Sequence, residues 1–272
     1  MHKRLGFSLI EVVLVLAVLS AVGALAWFGM QGGRSKTSQV SNTEPAGAVS
    51  WSHNGTTWQA SGKPPTCPNP VRFSQAPSDL SKATAVLYPG QTRGGNYKPH
   101  GGLRYPDGQN KVAVKAIYDG NVVEGARYIE AGETQYMFTI VNDCGIAYRF
   151  DHLLSLSPKF QSLAVKLPAA QPNDSRTTKF NSPTSIKAGE VVATAVGFTN
   201  NGNASYDLGV YDLRSTNQAA QNAAYRAKHQ NILSQAGYAL CWLDMFSAND
   251  SAILAALPGG DMTSGKQSDY CK

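Results

Sequence analysis

The feature that most constrains this chain is an apolar segment near its N-terminus, from Phe7 to Phe28, which reads FSLIEVVLVLAVLSAVGALAWF. A helix of this length can cross the hydrocarbon region of a bilayer. Its one charge is Glu11, and the basic residues Lys3 and Arg4 precede it. Because basic flanks stay on the cytoplasmic side, we expect a single-pass protein of the inner or cytoplasmic membrane. Its body then lies outside the cytoplasm, in the periplasm or at the cell surface.

Glu11 distinguishes this segment from a plain secretory signal peptide, which is the alternative interpretation. A carboxylate inside an apolar span is costly and is by default functional. The stretch GFSLIEVVLVLAVLS resembles the class III signal of type IV prepilins and pseudopilins. The resemblance implies a leader of residues 1–6 cut after Gly6, methylation of the new N-terminal Phe7, and pairing of Glu11 with the N-terminal amine of a neighbouring subunit.

We assign the apolar helix to residues 7–30. Three glycines at and just after its C-terminal end leave its role open. Gly29, Gly32 and Gly33 arrive together, and each glycine weakens a helix interior by about 1 kcal/mol. Pilins continue this helix into their soluble domain. Two alternatives therefore remain: a minor pilin-like component of a type IV pilus-like machinery, or a simple membrane tether.

The rest of the chain divides by composition. Residues 31–66 are rich in Ser, Thr, Gly, Asn and Pro and predict a flexible linker. Residues 67–214 contain short alternating segments, among them VVEGARYIE, TQYMFTIVN, GIAYRFDHL and SYDLGVYDL, which predict an antiparallel barrel or sandwich. A polar insertion, 158–184, interrupts them. Residues 215–272 have helical composition and predict short C-terminal helices. The fold class is therefore mainly β.

Four cysteines, Cys67, Cys144, Cys241 and Cys271, lie on the expected outer side of the membrane, where disulfides form. Their spacing contains no CxxC pair, so two structural disulfides are favoured over a cysteine zinc site. Four cysteines allow three pairings. We favour Cys241 with Cys271, which would fix the C-terminal tail, and Cys67 with Cys144, which would fix the end of the linker.

The net charge of +6 is distributed along the chain and is not concentrated in a basic stripe with interleaved aromatic residues. Nucleic-acid binding normally requires a face dense in Lys and Arg. We therefore expect no nucleic-acid partner. A positive balance favours anionic surfaces such as phospholipid headgroups or acidic cell-wall polymers.

Three motifs between Leu87 and Asp212 resemble those of the lysostaphin/LytM-type zinc endopeptidases, whose domain is a duplicated hybrid barrel-sandwich. The motifs are YKPHGGLRYPDG with the following AIYDGNVV, then YRFDHLLSLSP, then IKAGEVVATAVG. The resemblance implies that His100 is the first zinc ligand and that His152 is a catalytic histidine. It also aligns the family's late H-x-H pair with Asp207 and Gly209.

Two of the three zinc ligands that this resemblance implies are missing. Position 104 is Arg104 where the family has aspartate, and Gly209 replaces the last histidine. Catalytic zinc needs three protein ligands and an open position, and arginine cannot ligate a metal. We therefore favour a pseudo-enzyme without a cofactor whose groove contains His100, Arg104, His152 and Asp207. The alternative is a rearranged zinc site in which His152 and Asp207 take catalytic or ligand roles with His100, and Asp107 leans in from its loop.

The function we expect from the sequence is that of a membrane-anchored extracytoplasmic protein with a degenerate peptidase-like domain. Its partners would be peptidoglycan or another envelope protein. The alternatives are a divergent zinc endopeptidase acting on peptidoglycan cross-links, and a minor pilin-like filament component. No P-loop, GxGxxG or G-x-S-x-G motif occurs, so nucleotide hydrolysis and α/β-hydrolase chemistry have no support.

Overall fold

The computed structural model describes residues 49–271. The predicted leader, the helix 7–30 with its processing residues Gly6, Phe7 and Glu11, and the first part of the linker lie outside the described residues. Within 49–271, no helix is both long and apolar enough to cross a membrane.

The described part of the chain is mainly antiparallel β structure, as the sequence predicts. The thirteen strands are β1 (Trp51–His53), β2 (Trp58–Ala60), β3 (Ala85–Leu87), β4 (Gln91–Arg93), β5 (Asn96–Lys98), β6 (Gly101–Arg104), β7 (Val114–Lys115), β8 (Gly120–Glu130), β9 (Glu133–Val141), β10 (Ile146–Leu156), β11 (Thr178–Ile186), β12 (Val191–Val196) and β13 (Ser205–Asp212). The four α-helices are α1 (Pro158–Ala164), α2 (Ala223–Lys228), α3 (Leu233–Ala236) and α4 (Ala248–Ala256).

Nine strands form the main sheet, in the order β11-β8-β9-β10-β13-β6-β3, and β12 joins β10 to β7. Side chains alternate between the two faces of each strand. On β10, Ile146, Tyr148 and Phe150 enter the main core, whereas Arg149 and Asp151 point to the opposite face. That opposite face carries the candidate site.

Strand β10 changes partner in its middle. Its first half pairs with β13 as far as Asp151, which lies opposite Asp207. Its second half pairs with β12 from Leu153 onward, opposite Val196. His152 lies between the two ladders and has a left-handed backbone with φ 58°. Its carbonyl accepts from the Gly197 N–H at 2.8 Å. Non-glycine residues rarely adopt this conformation, and it concentrates at functional sites.

The end of the predicted linker differs from the expectation of a flexible spacer. Strands β1 and β2 form a hairpin, and both of its tryptophans are half-buried on the body. The indole N–H of Trp51 donates to the carbonyl of Asp143 at 3.1 Å, and that of Trp58 donates to the carbonyl of Ser234 at 2.8 Å. These contacts between distant residues depend on the tertiary fold, and local composition does not reveal them.

The predicted insertion 158–184 also contains regular structure, because it begins with α1 and ends within the edge strand β11. The C-terminal segment folds as short helices, as predicted. The N-cap of α4 is Ser247, whose hydroxyl accepts from the Asp250 N–H at 3.1 Å.

Both disulfides have the pairing favoured from the sequence. Cys67 is bonded to Cys144, and Cys241 is bonded to Cys271. The first joins the end of the linker to the turn before β10, and the second fixes the C-terminal tail to the segment after α3. Cys67 and Cys144 are also part of the main core.

Candidate functional site

An open groove with a volume of about 700 Å³ lies on the face of the sheet opposite the main core. Strands β8, β10 and β13 form its floor, and the segment 173–177 forms part of its wall. Ionisable side chains that line the groove include Lys98, His100, Glu130, Arg149, Asp151, His152 and Asp207. The fold therefore brings together three of the four residues predicted to share a groove, namely His100, His152 and Asp207.

Asp207 lies between the two histidines. Its Oδ2 is 2.9 Å from His100 Nε2 and 3.7 Å from His152 Nε2. Gly102 is its cross-strand neighbour on β6. A Cβ at Gly102 would lie 3.0 Å from Asp207 Oδ1 and closer still to the Tyr206 carbonyl oxygen. The glycine therefore leaves room for the Asp207 carboxylate to approach His100.

Arg149 determines which nitrogen of His100 carries a proton. Its Nη2 lies 2.7 Å from His100 Nδ1, and its Nη1 donates to Gln235 Oε1 at 3.3 Å. A guanidinium has donors and no acceptor, so His100 Nδ1 accepts and is unprotonated. The ring proton of neutral His100 is therefore on Nε2, beside the Asp207 carboxylate.

His152 has the opposite arrangement. The Tyr128 hydroxyl donates its one proton to Asp151 Oδ1 at 2.6 Å, and its oxygen lies 3.4 Å from His152 Nδ1. Because that proton is already used, the tyrosine oxygen can only accept from the imidazole. Glu130 Oε2 is a second acceptor near the same nitrogen, at 3.8 Å. His152 Nδ1 is therefore protonated, and in the neutral ring Nε2 presents a lone pair toward Asp207.

The pKa values of the three groups follow from burial and from their neighbours. Burial lowers the pKa of His100, and this outweighs the opposing effect of Asp207. Burial would raise the pKa of Asp207, but His100, His152 and Arg93 lower it strongly, so the carboxylate is ionised. Burial also disfavours the charged form of His152, but Asp151, Asp207 and Glu130 together raise its pKa.

Arg104 does not enter the groove, contrary to the prediction from sequence. It is exposed at the end of β6, opposite Ser205, and it does not line the groove. Asp107, which the rearranged zinc site would use, is exposed in the following turn and also lies outside the groove. The arginine that contacts His100 is Arg149, from a different strand.

The residues at the family's three ligand positions do not fit zinc. Arg104 is exposed and does not line the groove, and Gly209 has no side chain. The Tyr211 ring packs over Gly209 and occupies the space that a Cβ there would need. His100 remains, but its Nε2 is protonated because Arg149 occupies Nδ1. In zinc sites the second ring nitrogen of a histidine ligand is instead a donor to a carboxylate, carbonyl or water.

A different set of side chains has metal-binding chemistry. One ligand atom each from Asp151, His152 and Asp207 lies within 4.8 Å of the other two. Asp151 and Asp207 are direct cross-strand neighbours, and His152 follows Asp151 at the partner change of β10. This is the one such group of three among residues 49–271.

Sequence reasoning missed Arg149, Asp151 and Tyr128. Side chains in a strand alternate between its two faces, so Arg149 and Asp151 lie on the same face of the strand predicted from YRFDHL. This alternation is the signal that could have identified both as residues of the groove. Tyr128 enters through the pairing of β8 with β9, and the sequence contains no local signal for that contact.

Comparison with family models gives one match, the prokaryotic N-terminal methylation motif, over residues 1–27. This finding supports the prepilin-type signal and indicates a membrane-anchored or pilin-related protein. The matched part is outside the described residues and is far less than half of the chain. No curated protein matches this chain.

Proposed function

We propose that this chain is a membrane-anchored binding protein whose body lies outside the cytoplasm. Its groove would hold a cell-wall peptide, a glycan or a segment of an envelope protein, and it would not cleave this ligand. The observation that carries the non-catalytic part of the proposal is the bond from Arg149 to His100 Nδ1 at 2.7 Å. Because Arg149 occupies Nδ1, the Nε2 of His100, the first ligand position of the LytM-type peptidases, is a hydrogen-bond donor and cannot ligate a metal. The cell-wall part rests on the likeness of three sequence motifs to the LytM-type peptidases.

The form and chemistry of the groove support ligand binding. Its volume of about 700 Å³ is in the range of small-molecule and peptide sites. Lys98 and Glu130 are partly exposed on its surface. Lys98 makes no side-chain hydrogen bond with the described residues, and Glu130 has a contact of 3.8 Å to His152 Nδ1, longer than a hydrogen bond. Hydrogen-bonding groups of both charges are therefore available to a polar ligand.

Co-sedimentation with purified peptidoglycan sacculi tests this function. Full-length protein is purified in detergent under oxidising conditions, and its binding is compared with that of Lys98→Ala and Glu130→Gln. Lys166→Ala and Asp107→Asn are matched controls, since both residues are exposed and outside the groove. We expect the groove variants to bind more weakly and the controls to bind as wild type.

Two results would contradict the proposal. Release of soluble muropeptides by the wild-type protein, abolished in His152→Asn, would show a hydrolase. Absence of binding to sacculi and to envelope extracts would remove the binding function.

A filament role is a second candidate, because the match at residues 1–27 is to a motif that prepilins carry. The measurement is co-purification with sheared pili from cells producing wild-type protein or Glu11→Ala. Loss of pilus association in Glu11→Ala would support the filament role. A wild-type protein confined to the membrane fraction would exclude it.

A further inference from the structure

We propose that His152, Asp207 and Asp151 form a binding site for one divalent cation. This site shares no ligand with the set that the family resemblance implies, which uses positions 100, 104 and 209. The inference goes beyond the proposed binding function and is independent of it, because metal binding can be measured without any groove ligand.

The spacing of His152 and Asp207 fits a shared ion better than a direct hydrogen bond. His152 Nε2 and Asp207 Oδ2 are 3.7 Å apart, beyond the usual range for N–H···O bonds. Two ligand atoms on one tetrahedral ion with bonds of about 2.1 Å lie about 3.4 Å apart. A small movement of either side chain would therefore bring both atoms to an ion placed between them.

The tautomer of His152 is the one that a metal ligand requires. Tyr128 and Glu130 are acceptors near its Nδ1, at 3.4 and 3.8 Å, so Nε2 presents its lone pair to Asp207. Metal-bound histidines usually donate their other N–H to an oxygen acceptor of this kind. In the neutral ring this lone pair faces an ionised carboxylate, and a cation between the two atoms would bind both of them.

Asp151 supplies the third ligand. Its Oδ1 accepts from the Tyr128 hydroxyl at 2.6 Å and from the His152 backbone N–H at 2.8 Å. These two bonds hold the carboxylate in place. Its Oδ2 accepts no hydrogen bond from the described residues, which leaves this oxygen available to an ion.

His100 gives a second, independent indication of a ligand. Its side chain is 9% exposed, and its Nε2 lacks a hydrogen bond of acceptable geometry among residues 49–271 although Asp207 Oδ2 is 2.9 Å away. A buried N–H directed into the groove without an aligned acceptor is costly. A water bound to the ion would provide that acceptor, so His100 would contact the metal only through this water and would not ligate it.

The donor set indicates the class of ion. One imidazole and two carboxylates suit Zn²⁺ or Mn²⁺, whereas Ca²⁺ and Mg²⁺ favour oxygen ligands throughout and Cu⁺ favours sulfur. Of the two, Zn²⁺ binds a given nitrogen and oxygen site more tightly. All four cysteines are in disulfides, so no thiol competes for zinc under oxidising conditions.

Zinc titration of the full-length protein in detergent tests the site. The protein is stripped with a chelator, and binding is followed by isothermal titration calorimetry and by metal analysis after dialysis. We expect one Zn²⁺ per chain. His152→Asn, Asp207→Asn and Asp151→Asn should each weaken binding by at least about 100-fold, since loss of an outer partner alone costs about 10–100-fold. Asn also tolerates the left-handed backbone at position 152.

Two further variants make the result specific. Asp107→Asn removes an exposed carboxylate outside the groove and should bind zinc as wild type. His100→Gln removes the outer donor and should weaken binding by about tenfold without abolishing it. Near-ultraviolet circular dichroism of each chelator-treated variant verifies the fold.

The proposal is overturned if the folded wild-type protein binds no Zn²⁺ or Mn²⁺ at millimolar concentration. It is also overturned if His100→Gln abolishes binding while Asp151→Asn leaves it unchanged, because the ion would then use the family's ligand position.

Discussion

Arg149 fixes the tautomer of His100, and the size of this effect can be calculated from the contact. The bond to Nδ1 at 2.7 Å forms only while that nitrogen is unprotonated. A hydrogen bond with a charged partner contributes about 1.5–3 kcal/mol. At about 1.4 kcal/mol per factor of ten, this favours the Nε2–H tautomer by about tenfold to 150-fold. We therefore expect the His100 proton on Nε2 in nearly all molecules.

Two-bond ¹H–¹⁵N spectra of protein labelled at histidine measure this directly. The chain has five histidines, and His100→Gln assigns the relevant signals. Wild-type protein should show an unprotonated Nδ1 and a protonated Nε2 at His100. Arg149→Met should weaken this preference, leaving only the part due to the Asp207 carboxylate beside Nε2. Arg104→Met is the matched control and should leave the His100 signals unchanged, because Arg104 does not line the groove.

A wild-type spectrum with the His100 proton on Nδ1 would refute the tautomer assignment and would restore His100 as a possible zinc ligand. The same conclusion would follow if Arg104→Met moved the His100 signals and Arg149→Met did not. The wild-type measurement does not depend on the stability of any variant, so it remains decisive even if Arg149→Met fails to fold.

Three further predictions concern stability, each measured by denaturant unfolding. Replacing Cys67 and Cys144 by alanine opens a loop of 77 residues and should lower the free energy of unfolding by about 4.5 kcal/mol. Loss of the C-terminal disulfide, with a separation of 30 residues, should lower it by about 3.6 kcal/mol. A larger loss of stability for the shorter loop would contradict the chain-entropy argument. Trp58→Ala should cost about 2 kcal/mol, less than for a fully buried tryptophan, and an unchanged midpoint would show that the hairpin does not dock. The hydrogen bond from the Lys187 side chain lowers the pKa of Asp119. The stabilising contribution of the ionised Asp119 is therefore present above its unfolded pKa near 4 and is lost as pH falls. Asp119→Asn should weaken the dependence of stability on pH below about pH 4, and an unchanged acid profile would contradict this assignment.

The sheet could be predicted because its long strands contain alternating stretches. In GIAYRFDHL, Ile146, Tyr148 and Phe150 share the core face, and this period of two is visible without any structure. Trp51 and Trp58 were harder to place, because their indole N–H groups bond to carbonyls 92 and 176 residues away along the chain. No local pattern specifies a partner at such a separation.

The candidate site could be predicted in part, and the error concerned the arginine. Motif spacing brought His100, His152 and Asp207 together, but it assigned Arg104 to their centre. Strand register decides instead. Arg149 lies opposite Gly209 across the β10–β13 ladder. Because glycine has no side chain, the β13 residue directly opposite leaves room for the Arg149 guanidinium, which bonds to His100. This requires knowledge of which strands pair and in which register, and the spacing of residues along one segment does not contain it.

The two histidines of the groove show why a count of ligand types cannot decide whether a site holds metal. His100 and His152 both approach Asp207 through Nε2, yet only one of them presents a lone pair there. Arg149, which can only donate, leaves the proton of His100 on Nε2. Tyr128, whose proton is used by Asp151, leaves the proton of His152 on Nδ1. The metal-binding capacity of this groove therefore depends on the second ring nitrogen of each histidine and on the hydrogen-bond partner that each nitrogen has.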